Sequence, residues 1–170
     1  MGDEHRLTDP LRFEHRHLVP RVDDLRLAAA GLRDRNVEAA LARVDKALAF
    51  LHDVLLPHAQ AEEEGLYPAV ERALNSPRAT ETMRRDHVEI SRMSDALRFL
   101  RSHLAESPKA ETIEALRRLL YGLHAVVMLH FAKEEEIYLP VLDMHLTVAE
   151  LEHVVATMRD TAHAGNGTSA

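Results

Sequence analysis

The sequence predicts an all-α fold: an antiparallel, up-down four-helix bundle followed by a short C-terminal helix. Three observations carry this expectation. Ala, Leu, Arg and Glu dominate, all good helix formers, and glycine is scarce at 6 of 170 residues. Apolar residues recur every three to four positions, and no stretch alternates with period two, so no strand is expected. One segment also occurs twice, as HDVLLPHAQAEEEGLYP at 52–68 and HAVVMLHFAKEEEIYLP at 124–140, an offset of 72 residues. A repeat of that length suits two helix hairpins related by a pseudo-twofold.

Breakers place the elements. Thr8-Asp9-Pro10 reads as a helix start with proline in the first turn, opening a helix near 9–34. A second helix near 37–73 ends at Asn75-Ser76-Pro77, a third near 78–105 ends at Ser107-Pro108, and a fourth runs near 109–143. Thr147 and Glu150 have the form of a capping box opening a last helix near 148–161. The single domain is expected over 1–162, with 163–170 a disordered tail.

The inner faces follow from periodicity. Val44, Leu48, Leu51 and Leu55 form a stripe whose next steps are His58 and Glu62. Ile113, Leu116, Leu120, Leu123 and Val127 form another, continued by His130, Glu134 and Ile137. His15 shares a stripe with Leu11, Leu18, Val22 and Leu25, and His87 with Met83, Ile90, Ser94 and Leu97. Six polar residues thus sit where a bundle would otherwise place leucine.

Composition narrows the chemistry. There is no cysteine, which excludes disulfides, thiolate metal sites and cysteine nucleophiles. A formal charge of −7 gives no footprint for nucleic acid. The longest uncharged run, 119–132, is interrupted by two histidines and is too short to span a membrane, which takes about 20 apolar residues. The opening MGDEHRLTDP is charged and carries no apolar leader, so a soluble cytoplasmic protein is expected.

Histidine and carboxylate on a core seam are costly unless something binds them. Residues four apart share a helix face, so His58 with Glu62 can grip one cation and His130 with Glu134 another. HxxxE occurs at these two places alone. His15 and His87 add one imidazole each. Because carboxylates can bridge, the natural arrangement is dinuclear: His15 and His58 on one metal, His87 and His130 on the other, Glu62 and Glu134 bridging. Imidazole and carboxylate without thiolate suit iron or manganese, though zinc or copper could occupy such a site in vitro.

His15, HxxxE at His58–Glu62, His87, and HxxxE at His130–Glu134 together resemble the hemerythrin-like (HHE cation-binding) domain, as do Leu66–Pro68 and Glu14–His15. The resemblance spans roughly 9–160. It implies a four-helix bundle around two iron ions with a bridging oxo or hydroxo group. Members bind or sense dioxygen, handle peroxide or nitric oxide, or sense, move or repair iron. The chain departs from oxygen-carrying hemerythrins twice: Ser91 stands four residues after His87 where they have histidine, and His130–Glu134 replaces their HxxxxD. The first change removes the ligand that fills one metal and so leaves an open position at both, which favours turnover of a small oxidant, peroxide or dioxygen, over reversible oxygen carriage.

Four more residues are candidates near the site. His52 and His124 lie six residues before ligand-type histidines, about 120° round an ideal helix. They are either boundary residues bonded to a neighbouring helix or proton donors or extra ligands, with Pro57 able to alter the geometry by kinking the helix. Tyr67 and Tyr138, about one turn beyond the glutamates, either cap the core or approach the metals as hydrogen-bond donors or redox groups. Glu63, Glu64, Glu135 and Glu136 are expected to be solvated or to support the ligands. His17, His103, His145 and His163 fall off the stripes and are expected to face solvent.

Overall fold

A computed structural model describes residues 6–33, 37–104 and 108–166. Among them there are five helical stretches and no strand. Helix α1 is Asp9–Gly31. Helix α2 covers 37–73 as Val37–Phe50, Leu56–Ala61 and Tyr67–Ala73, joined by π turns at Leu51–Leu55 and Glu62–Leu66. Helix α3 is Glu81–Ser102. Helix α4 covers 110–145 as Ala110–Lys133 and Leu139–His145, joined by a π turn at Glu134–Tyr138. Helix α5 is Val148–Asn166. The first four form the bundle, α1 packing on α2 and α4, and α3 on α2 and α4; α5 lies on α2.

The π turns have a visible cause. Each ends two residues before a proline: Leu55 before Pro57, Leu66 before Pro68, Tyr138 before Pro140. Proline has no N–H and its ring clashes with the carbonyl four residues back, so the turn ahead of it widens to an i→i+5 bond. Those bonds run from Leu56 N–H to Leu51, Tyr67 N–H to Glu62, and Leu139 N–H to Glu134. Each widening advances the register by one residue. Ile137, expected on the inner stripe, is therefore 53% exposed, and Leu139 and Leu142 take the inward positions.

The ends also differ from expectation. Helix α1 stops at Gly31 rather than near 34, and 34–36 lie outside the described residues. Helix α3 starts at Glu81 because 77–80 form a turn in which the Thr80 hydroxyl donates to Glu71 Oε1 at 2.5 Å. Asn75 closes α2 with φ 49°, and the Ser76 N–H returns 2.9 Å to the Glu71 carbonyl, a left-handed cap that asparagine tolerates. The capping box forms: Thr147 N–H and hydroxyl donate to Glu150 Oε2 at 2.8 and 2.7 Å. Helix α5 then continues past the expected 161 to Asn166; of the expected tail, 167–170 lie outside the described residues.

Helix α5 is seated by a close approach. A Cβ on Gly65 would fall 2.7 Å from Met158 Cγ and 3.2 Å from the Val154 carbonyl, so only glycine lets the two backbones meet there. Leu151, Val154 and Met158 are buried in this contact.

The apolar core is two clusters. One gathers Val22, Leu25, Leu51, Leu55, Ile90, Leu97, Leu120 and Val127; the other gathers Leu11, Leu66, Val70, Met83, Leu139 and Leu142 with the α5 residues. His15, His58, Glu62, His87, His130 and Glu134 fall between them, so a polar layer is closed off above and below by hydrocarbon. Among the described residues, no helix is long and apolar enough to cross a membrane.

Candidate metal centre

The structure brings the six seam residues together. Side chains of His15, Glu62, His87, His130 and Glu134 are at most 6% exposed, and that of His58 is 11% exposed. The two glutamates span the layer. Glu62 Oε1 lies 2.8 Å from His58 Nε2 and 3.5 Å from His15 Nε2, while its Oε2 lies 3.3 Å from His87 Nε2 and 3.8 Å from His130 Nε2. Glu134 Oε2 is 3.4 Å from His15 Nε2 and its Oε1 is 3.5 Å from His130 Nε2. The histidines thus pair as His15 with His58 and His87 with His130. Donor atoms of His15, His58 and Glu62 lie within 4.8 Å of one another, as do those of Glu62, His87 and His130, and each group could hold a metal ion.

The fit to a cation is chemical as well as spatial. Both oxygens of Glu62, Glu134 Oε2 and His58 Nε2 are buried with no hydrogen-bond partner among the described residues. His58 Nε2 and Glu62 Oε1 are only 2.8 Å apart yet misaligned for a hydrogen bond. Unpaired lone pairs aimed at one another in a dry layer are expensive, and a cation between them removes that cost.

Burial and neighbouring charge shift the titration of these groups in different directions. Burial opposes charge on His15, but the hydrogen bond to Glu135 and the nearby Glu62 carboxylate win, raising its pKa to about 10. His58 and His87 are also raised, the Glu62 carboxylate overcoming burial in both. Burial favours the neutral acid in Glu62 too, but His58 and the other rings hold its pKa well below the usual carboxylate value. Glu134 goes the other way, pushed up to about 7 by burial and then by Glu62.

The layer is supported by carboxylates that the sequence pattern left undecided. Glu63 Oε1 accepts from His87 Nδ1 at 2.9 Å, and Glu135 Oε1 from His15 Nδ1 at 2.9 Å. Such bonds fix each ring with its Nε2 lone pair inward. Glu64 and Glu136 are exposed, and Glu64 instead accepts from Gln60 and Thr161. Behind the supporting glutamates stand arginines. Arg12 Nη1 donates to Glu135 Oε2 at 2.5 Å and to the Glu135 carbonyl, while its Nη2 lies 3.5 Å from Asp143. Arg84 meets Glu63 and Glu71, each at 3.4 Å. Thr8 bonds Asp143 as Thr80 bonds Glu71. Every member has its counterpart 72 residues on: Thr8 and Thr80, Arg12 and Arg84, Glu63 and Glu135, Glu71 and Asp143. Extending the repeat beyond the histidines and glutamates would have found this network.

The four further candidates divide. Tyr67 is fully buried in the site: its hydroxyl donates to Glu134 Oε1 at 3.0 Å and lies 3.1 Å from His87 Nε2. Tyr138 instead donates to the Ala79 carbonyl at 3.1 Å. The i→i+5 turn after Glu62 is what puts Tyr67 directly above it. Burial, then the charges of Glu62 and Glu134, raises the Tyr67 phenol far above its ordinary pKa. His124 Nε2 pairs with Asp23 at 3.1 Å, away from the cluster. His52 is half-buried; burial, and then the Arg98 charge, lowers its pKa, and its Nε2 has no partner among the described residues. His124 is thus bonded to the neighbouring α1, as the boundary reading expects, whereas the His52 Nε2 makes no such bond among the described residues. His17, His103 and His145 are exposed, as expected, while the side chain of His163 lies outside the described residues.

The two ends of the layer differ. The His87/His130 end holds the Tyr67 hydroxyl, whereas at the other end Phe131 stacks on His15 with ring centroids 4.5 Å apart. Ser91 is half-buried and lines a surface groove beside His87.

Fold and cluster together define a class: a four-helix bundle with a buried histidine–carboxylate centre able to hold cations. A family model for the hemerythrin HHE cation-binding domain matches residues 6–142, and the chain belongs to that family. Neither the curated proteins nor the solved structures searched contain a match.

Proposed function

We propose that the centre binds two iron ions bridged by an oxo or hydroxo group and reacts with a small oxidant, peroxide foremost. The observation that carries this reading is the pair of buried glutamates, each spanning both histidine pairs, with both oxygens of Glu62 and Oε2 of Glu134 unpartnered among the described residues. His15 and His58 would hold one ion, His87 and His130 the other, with Glu62 and Glu134 across both. Bound iron would supply electron transfer to and from the oxidant.

The chain's own residues do the rest. Glu135 and Glu63 keep His15 and His87 protonated at Nδ1, so each offers Nε2 inward. Tyr67, with its raised pKa, stays a neutral phenol and holds a proton at Glu134 Oε1. That hydroxyl stands at the His87/His130 end only, so the two ends of the layer offer an oxygen ligand different surroundings. The apolar clusters exclude bulk water, which strengthens these electrostatic interactions. With Ser91 in place of a further histidine, the ligand count leaves open positions, which suits turnover. A cytoplasmic setting belongs to the same proposal.

The test is to reduce the iron-loaded protein without air and expose it separately to peroxide, dioxygen and nitric oxide. Oxygen evolution from peroxide is expected. Iron-replete protein that leaves peroxide unconsumed overturns the peroxide reading, and a reversible spectral change with dioxygen would make it a carrier. His58→Ala with His130→Ala should abolish iron loading; full iron content in that variant overturns the site.

A further inference from the structure

Helices α1, α2 and α5 line an open groove of about 630 Å³, with His58 among its lining residues. That volume suits a small organic molecule and far exceeds the need of hydrogen peroxide. Its wall is mostly hydrocarbon: Leu11 and Leu18 from α1, Val54 from α2, Val155 and Met158 from α5. Carboxylates Glu14 and Asp53 and the guanidinium of Arg159 stand at its rim, a balance that disfavours an anion. Helix α5 lies beyond the family-matched segment 6–142.

His58 is the one ring of the four suited to meet a ligand there. The Nδ1 atoms of His15, His87 and His130 face Glu135, Glu63 and Asp86 at 2.9, 2.9 and 3.3 Å. Among the described residues nothing hydrogen-bonds His58 Nδ1, and its ring is the most exposed of the four, at 11%. Nδ1 is therefore open to a ligand from the groove, and it donates where Nε2 holds a metal, since the ring hydrogen then sits on Nδ1.

We propose that this groove binds an uncharged organic hydroperoxide, its hydrocarbon body against α5 and one oxygen accepting from His58 Nδ1. The identity of the ligand as a peroxide rests on the reading above; the groove and its polarity do not.

The experiment uses the unreactive alcohol 2-phenylpropan-2-ol as probe and follows ¹³C-labelled methionine methyls by NMR. Of the core methionines Met83, Met93 and Met158, only Met158 also lines the groove. A saturable shift of the Met158 methyl with Met83 and Met93 unmoved is expected, together with a shift of His58 Nδ1 in ¹⁵N-histidine protein. Val155→Trp should fill the groove and remove the response, the spread of the other methionine signals reporting the fold; Leu18→Trp fills it from α1 should that variant not fold. A Met158 methyl that stays put, or one that responds undiminished in a folded filled variant, overturns the proposal. Iron content is measured separately: a Met158 response in protein that takes up no iron upholds the groove and overturns the metal reading.

Discussion

Cation binding at the centre should expel protons, and affinity should climb with pH. His15 is raised to about 10 in the metal-free protein, while coordination through Nε2 needs the neutral ring with its hydrogen left on Nδ1. At pH 8 the ring sits about two units below that value. At about 1.4 kcal/mol per unit, removing the proton costs roughly 3 kcal/mol, a factor of about a hundred in affinity. Glu134, at about 7, adds a second proton at pH 6. Calorimetric titration with Zn²⁺ in buffers of different ionisation enthalpy counts the protons. At least one should leave per chain at pH 8 and more at pH 6, with affinity rising about tenfold or more per pH unit between 7 and 9. No proton release at pH 8, with flat affinity, would refute the reasoning, because the metal would then be entering a neutral site or binding elsewhere. The same shifts give the metal-free fold a sign. His15 contributes stability that is full below 6.5 and lost as pH rises toward 10, and Glu134 favours the folded state less as pH rises from 4.5 to about 7. Glu62, held low, contributes above the usual carboxylate range and is lost in acid. Melting temperature without metal should therefore fall from pH 6.5 to 10.

Four other outcomes follow from the contacts. Glu63→Gln and Glu135→Gln should each weaken Zn²⁺ binding by about 10- to 100-fold in competition titrations, with helicity unchanged; equal affinity would remove their role in setting the rings. Tyr67→Phe keeps the packing but takes a donor from buried Glu134, and urea unfolding of the metal-free protein should show a loss of about 1–3 kcal/mol. Gly65→Ala drives a Cβ into Met158 Cγ and the Val154 carbonyl and should cost about 1–3 kcal/mol, with faster hydrogen exchange in α5. Adding Met158→Ala should relieve only part of this, since the carbonyl remains. His52→Ala and His124→Ala should leave Zn²⁺ affinity unchanged; a loss would bring them back into the site.

The repeat at 72 residues made the six-residue cluster legible because ligand-type residues on a seam need no tertiary information to stand out. Helix phase places His58 over Glu62 and His130 over Glu134 from spacing alone. The same assumption failed past each glutamate. An ideal α-helix puts Ile137 inward and gives Tyr67 no preference over Tyr138, whereas the π turns ahead of Pro68 and Pro140 rotate Tyr67 into the site and Ile137 out. Those prolines were visible, but their effect on register depends on how the widened turn packs.

By itself the sequence determined the helices, the inner stripes and the residues fit to bind a cation, since these follow from periodicity and side-chain chemistry along a single helix. Only the tertiary structure decided which helix each side chain reaches. Glu63 lies beside Glu62 in sequence but holds His87 on α3, and Glu135 holds His15 on α1, because bundle packing brings a neighbouring helix within hydrogen-bond range of positions that helix phase leaves on the flank. The groove at His58 is of the same kind: its α5 wall comes from residues about a hundred positions away, seated by a glycine whose meaning is set wholly by the backbone it meets.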